Sequence, residues 1–347
     1  MLRISEISKS YGRFALQDIN LDIADGEYFV LLGRSGSGKS QLLEVISGLR
    51  KADKGRLFLD GKDITDKKIQ VREIGLVFQD FALFPHLNVF ENIAYPLKMI
   101  CLHRDEIDKK VQTIAEEVNI RHILQRKPVF LSGGEKQRVA VARTLVRSPK
   151  IILLDEPMSS IDTPLRDDLR RLLRKINKRG MTIMHVTHDY REAIRLADRV
   201  GVIHNGKIIQ TGVPEEVFNN PVNRFVARFA GIQNFFKVKI EKVGDDNIAT
   251  GLDGFKFLLA PGDYPADGIL MIRSADLKLS LESPGCDNNC TSGIIKELNR
   301  AEYGYEAFIK AGETFYATFS EEMLNKLSLE PGMEIYISFK PDSIKVL

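Results

Sequence analysis

The apolar run Tyr28-Phe29-Val30-Leu31-Leu32 leads straight into Gly33-Arg34-Ser35-Gly36-Ser37-Gly38-Lys39-Ser40, and no other stretch of the chain constrains its fold as tightly. A strand, a glycine-rich turn and a helix over 41–49 are what such a sequence requires. Glycines let successive backbone N–H groups point into one concavity, Lys39 adds a point charge for outer phosphates, and the Ser40 hydroxyl suits Mg²⁺. Residues 33–40 therefore read as a phosphate-binding loop, and each is a candidate contact.

The chain has 347 residues, 44% of them hydrophobic, which is enough for a full-sized domain plus a smaller one. Its net charge of +3 comes from 50 basic and 47 acidic residues with no contiguous block of one sign, so no nucleic-acid partner is expected. No apolar stretch approaches the roughly 18 residues of a membrane span, and residues 1–5 lack a signal-peptide apolar region. The expectation is a cytoplasmic chain. Cys101, Cys286 and Cys290 suit a reducing compartment, and the last two, without a nearby histidine or further cysteine, read as a surface turn.

Apolar alternation predicts strands over 2–7, 14–23, 56–59 and 74–78, and helical spacing predicts helices over 104–120 and 134–146. The short apolar runs 151–154 and 182–186 read as buried parallel strands, which makes an α/β nucleotide-binding domain. Beyond about residue 231 the pattern changes to short alternating stretches, 235–243, 255–260, 268–272, 293–298, 306–310 and 334–339, as in an all-β domain. Within it, Ile272-Arg273-Ser274-Ala275-Asp276-Leu277-Lys278-Leu279 echoes Phe339-Lys340-Pro341-Asp342-Ser343-Ile344-Lys345-Val346, which predicts two related barrel-like halves.

Two more segments carry chemistry. Ile151-Ile152-Leu153-Leu154-Asp155-Glu156-Pro157 delivers paired carboxylates to the end of a strand, where open α/β sheets bind ligands. There Asp155 suits Mg²⁺, and Glu156 suits the base that orients and deprotonates a water attacking a γ-phosphate. Leu131-Ser132-Gly133-Gly134-Glu135-Lys136-Gln137 places a capping serine and two glycines at a helix start, which is both a sound cap and an anion site. One chain thus holds two phosphate-binding devices.

With these residues together, the chain resembles the ATP-binding subunits of ABC importers, over about residues 1–230. Residues 33–40 resemble the Walker A loop, 131–137 the family signature and 151–156 the Walker B strand; Gln79 resembles the Q-loop glutamine, Asp162 the D-loop aspartate, His188 the switch histidine and Tyr11 the aromatic that stacks on adenine. The resemblance implies an α/β P-loop NTPase cassette at 1–230 and a regulatory TOBE-type, OB-like all-β domain at 231–347. It implies an ATPase that uses ATP and Mg²⁺, with Lys39, Gln79, Glu156 and His188 catalytic and Ser40, Gln79 and Asp155 holding the metal. Nucleotide would be sandwiched in a head-to-tail homodimer between the Walker A loop of one copy and Ser132, Gly133 and Gly134 of the other. Arg34 stands where proline is common and Gln41 where threonine or serine is, although Gln41 retains a donor for an α-phosphate.

The same resemblance implies integral membrane permease subunits and a solute-binding protein as partners, and a place on the cytoplasmic face of the membrane. The apolar segment Phe81-Ala82-Leu83-Phe84-Pro85-His86 corresponds to the region that receives the permease, with Phe81 and Phe84 expected to form the groove. Arg273-Ser274-Ala275-Asp276-Leu277 resembles an Arg-Pro-Glu-Asp-Ile element of the regulatory region, without its proline. Length, the segment 27–33 and the duplicated tail lean toward molybdate or tungstate as solute, with ferric iron, sulfate and polyamines as rivals. A soluble ABC ATPase acting on DNA or ribosomes would carry two cassettes or a long coiled coil, whereas this chain has one motif set and no sustained heptads. A non-catalytic cassette is opposed by intact Lys39, Asp155, Glu156 and His188.

Overall fold

The structure is a computed structural model that describes residues 1–347 except 160, 253, 284–288 and 302–303. The expected turn at Cys286 lies outside the described residues; Cys290 is a free thiol in the strand Asn289–Arg300. The chain divides into two compact units, Met1–Asn220 and Pro221–Leu347. Their junction falls ten residues before the one expected at 230, because the helix Arg224–Phe229 packs in the second unit, where Ala227 clusters with Ile232 and Met271.

In the first unit, six strands form a sheet in the order Lys207–Gly212, Arg199–His204, Tyr28–Leu32, Thr182–Thr187, Ile151–Asp155, Ile74–Val77. The last five are parallel, and Tyr28–Leu32 and Thr182–Thr187 are buried along their whole length. That explains their unbroken apolar sequence, since a parallel strand is covered on both faces. Phe29, Leu31, Leu153 and Met184 from this sheet share one core with Leu42, Leu43 and Ile46 of the helix Lys39–Ser47 and with the antiparallel strands Leu2–Tyr11 and Phe14–Ile23. Parallel pairing brings the strand ends to one edge: Leu32 lies beside Thr187, Asp155 beside Val186 and Val77 beside Leu154.

The second unit adds two short helices, Arg224–Phe229 and Glu321–Leu327, to a β-structure that is built twice. One sheet runs Lys256–Leu259, Asp246–Gly251, Asn234–Val243, Asp267–Ile272, Ile344–Val346; the other runs Glu313–Phe319, Tyr305–Ala311, Asn289–Arg300, Glu334–Phe339, Lys278–Ser280. The two orders correspond strand for strand, and each half gives its last short strand to the other's sheet. The echoed segments are the exchange points: in both, a strand, one 3₁₀ turn and a short strand cross from sheet to sheet.

A buried asparagine opens each half. Asn234 Nδ2 donates to Tyr316 O at 2.9 Å and its Oδ1 accepts from Tyr316 N at 2.7 Å; Asn289 Nδ2 donates to Leu258 O at 2.9 Å and its Oδ1 accepts from Leu258 N at 2.6 Å. Each amide therefore pairs with the third strand of the opposite half, which offsets the cost of burying it.

Candidate nucleotide site

The carboxyl edge of the parallel sheet gathers the loop that starts at Gly33, the pair Asp155 and Glu156, and His188. Gly33 N donates to Thr187 O at 3.3 Å, tying the start of the loop to the end of the neighbouring strand. Gly38 adopts φ +106, and a Cβ there would stand 2.7 Å from the Phe14 ring, so glycine is required. Lys39 is buried, donates to Gly33 O at 2.8 Å and Arg34 O at 3.2 Å, and stands 3.5 Å from Glu156 Oε1. Burial holds its ammonium below the ordinary value, against the raising pull of Glu156 and Asp155. Ser37 Oγ is buried without a hydrogen-bond partner among the described residues, an unsatisfied donor inside the loop that suits an anion.

Ser40 Oγ donates to Asp155 Oδ1 at 3.0 Å, so two hard oxygen groups sit together at the strand edge, a donor set that fits Mg²⁺. Burial raises the Asp155 carboxyl above its ordinary value; Ser40 opposes this and Glu156 adds to it. Glu156 takes a left-handed φ of 43, its N–H bonded to Val186 O at 3.0 Å, while His188 Nδ1 lies 3.1 Å from its Oε2. A glutamate in that conformation is strained, and its two oxygens face Lys39 and His188 respectively.

Tyr11 is half-buried, packs on Phe14 and donates to the Gln41 carbonyl at 3.3 Å, beside the start of the loop helix. Arg34, Ser35 and Gly36 are exposed at the loop tip. Gln79 is exposed two residues beyond the strand Ile74–Val77. Ser132 caps the helix Gly133–Leu145 in a capping box, accepting from Glu135 N at 3.3 Å while its N–H donates to Glu135 Oε2 at 2.7 Å. Asp162 precedes the helix Thr163–Lys178 with its side chain exposed. Ser132 is engaged by Glu135 within its own helix start, whereas Lys39 and Ser40 bond within the loop and to Asp155, so the protomer assembles one phosphate device at the sheet edge and caps the other separately.

The ABC transporter family profile matches residues 16–159, which include the loop and the carboxylate pair. A molybdate/tungstate import ATP-binding protein of Pyrococcus abyssi is 40% identical over 100% of both chains. This chain belongs to the ABC importer ATP-binding subunits. A sulfate/thiosulfate import ATP-binding protein of Bacillus cereus is 38% identical over 99% of this chain and 97% of its own, and a spermidine/putrescine import ATP-binding protein of Marinobacter nauticus 39% identical over 86% and 81%. A dimeric ATP-binding cassette in a post-hydrolysis state with ADP and Pi superposes with a TM-score of 0.57 at 32% identity, covering 62% of this chain and 99% of that one. As a member of the family, the chain is an ATPase.

The apolar segment after Gln79 lines a cavity of about 600 Å³ with Phe84, Phe78, Tyr95 and Arg143 on its walls; Phe81 is not among its lining residues. Phe81 and Ala82 instead adopt left-handed backbone, with φ 64 and 45, and their carbonyls accept from Arg143 at 3.0 and 2.6 Å. Sequence reasoning missed Arg143, and also His185 and Glu192, because a polar residue inside an apolar strand or on a helix carries no motif of its own.

Proposed function

We propose that the chain hydrolyses ATP between two copies of itself and couples closing and reopening of the pair to uptake of an oxyanion, molybdate or tungstate, through a membrane permease. The observation that carries this is the meeting of Lys39, Ser40, Asp155, Glu156 and His188 at one sheet edge, with Ser132, Gly133 and Gly134 left for a partner's nucleotide. Residues 33–41 bind the phosphates, Tyr11 stacks on the adenine, and Asp162 lies at the dimer contact. Ser40, Asp155 and Gln79 would hold Mg²⁺, which would supply neutralisation of phosphate charge. Glu156 takes the proton of the attacking water while His188 and Lys39 donate to the γ-phosphate; the bond to the β-phosphate oxygen breaks and ADP leaves with inorganic phosphate separated.

The cavity lined by Phe84 and Tyr95 is the docking site for a permease helix, which places the ATPase on the cytoplasmic face of the membrane with a solute-binding protein on the other side. The molybdate or tungstate reading is supported by full-length similarity to the molybdate/tungstate relative; the sulfate and polyamine relatives, almost as similar, favour those solutes as a second reading.

Two measurements test the proposal. Glu156→Gln should bind ATP, elute as a dimer with it and as a monomer without it; a monomer under both conditions refutes the sandwich. Of molybdate, tungstate, sulfate, Fe³⁺ and spermidine, the first two should raise the melting temperature of the full chain by mass action. A shift with another of the five reassigns the solute.

A further inference from the structure

Behind the turn that carries His188 lies a buried polar column outside the nucleotide site. Tyr28 and His185, on the adjacent strands Tyr28–Leu32 and Thr182–Thr187, are both 0% exposed, and Glu192 on the helix Tyr190–Leu196 is 4% exposed. The Tyr28 hydroxyl lies 3.1 Å from His185 Nδ1, and His185 Nε2 lies 3.2 Å from Glu192 Oε2, a short contact off the hydrogen-bonding axis. If Tyr28 donates to Nδ1, the imidazole proton sits on Nε2 and faces the carboxylate.

Burial works to raise the Glu192 carboxyl, but His185 and Thr187 beside it and the charge of Arg170 outweigh this and leave the group below its ordinary value. Glu192 is therefore an ionised acceptor at neutral pH. Thr187, which lines one cavity with Glu192, immediately precedes His188; Thr187 Oγ1 accepts from Asp189 N at 3.1 Å, and Asp189 Oδ1 accepts from Arg191 N at 2.8 Å. The turn is thus tied to the helix that carries Glu192, whose own N–H donates to Asp189 O at 3.2 Å. A cavity of about 90 Å³ is lined by Glu156, Thr187, His188 and Glu192 together, so the column opens on the same space as the candidate base. A carboxylate in a core costs several kcal/mol unless it is fully engaged, and an apolar residue would pack there at no such cost.

We propose that Glu192 and His185 are positioning residues, which hold Thr187 and so aim His188 at Glu156 and the γ-phosphate. This rests on the reading of His188 given above. Neither residue touches the nucleotide. A misplacement of an ångström at His188 is enough to slow hydrolysis by about a hundredfold without changing how ATP is held.

The test is a double-mutant cycle on the full chain, with rates followed under single-turnover conditions so that slow variants remain measurable. Glu192→Gln should lower the hydrolysis rate about ten- to a hundredfold and leave the half-saturating ATP concentration within about twofold. In a His188→Ala background it should cost nothing more, because its effect passes through His188; a role confined to stability would give independent effects. Thr187→Val, which keeps the side-chain shape, runs the same test should Glu192→Gln not fold. Normal rates for Glu192→Gln and Thr187→Val beside a slow His188→Ala overturn the inference alone, as do multiplicative losses in the double variant. A normal rate for His188→Ala overturns the reading of His188 beneath it.

Discussion

Ser40 donates a 3.0 Å hydrogen bond to Asp155 across 115 residues of sequence, joining the end of the phosphate loop to the end of a strand two places from Tyr28–Leu32 in the sheet. The pair is the proposed Mg²⁺ site, and its acid–base behaviour is testable. Burial raises the Asp155 carboxyl above its ordinary 3.8, so on acidification it takes a proton earlier than an exposed aspartate would. A protonated carboxyl does not ligate Mg²⁺, hence Mg²⁺ affinity should weaken as pH falls, beginning at a higher pH than an ordinary aspartate allows. Mg²⁺ titration of nucleotide binding across the mildly acidic range should show this in the unaltered chain, and Asp155→Asn should bind the metal weakly with a flat profile.

Gly134 separates folding from function. A Cβ there would meet Leu165 Cδ1 at 3.4 Å, an ordinary contact, and Gly134 lies in the first turn of the helix Gly133–Leu145. Gly134→Ala should leave the melting temperature unchanged or raise it, since alanine is favoured over glycine in a helix by up to about 1 kcal/mol. If the partner's γ-phosphate must approach this backbone, ATPase activity should nevertheless fall at least tenfold. Full activity in a stable Gly134→Ala chain would remove the signature from the nucleotide site.

Asn234 and Asn289 occupy equivalent places in the two halves of the β-unit, 0% and 5% exposed, and each is bonded in both directions to one residue of the opposite half. Replacement by alanine leaves a buried N–H and C=O unpaired, at about 1–3 kcal/mol for each group left unsatisfied. Asn234→Ala and Asn289→Ala should therefore destabilise the unit by similar amounts in urea unfolding. A loss confined to one would show that the halves are not energetically equivalent.

Arg143 connects the helix that begins at the signature to the segment beside the proposed permease groove. Its guanidinium donates to the carbonyls of Phe81 and Ala82 and lies 5.6 Å from the Phe84 ring centre. Left-handed backbone at two consecutive non-glycine residues is unfavourable, and these bonds stabilise it. Arg143→Ala should release the segment, sparing ATPase activity of the chain alone while abolishing its stimulation by the reconstituted permease. Phe84→Glu should prevent assembly with the permease, whereas Phe81→Glu, outside the groove, should weaken it less.

Much of the cassette is legible in the sequence because its motifs are local. A phosphate loop needs its glycines, lysine and serine in one contiguous stretch, and the strand before it must be apolar on both faces, so 28–40 announced themselves. The runs ending at Asp155 and Thr187 were legible for the same reason. The left-handed backbone at Phe81 and Ala82 was not, because it depends on Arg143, more than sixty residues away.

Residue order alone established the chemistry available to this chain: phosphate binding at 33–40, paired acids at 155 and 156, a capped anion-binding helix start at 132–134 and a duplicated β-tail. Folding settled which of these meet. Parallel pairing carried Asp155, Glu156 and His188 to Lys39 and Ser40 and left Ser132 and Gly134 apart from them, and the exchange of last strands between the β-halves joined what the echo at 272–279 and 339–346 only hinted at. Strand neighbours and buried polar partners such as Glu192, His185 and Thr187 depend on packing between distant segments, and sequence spacing carries no record of that.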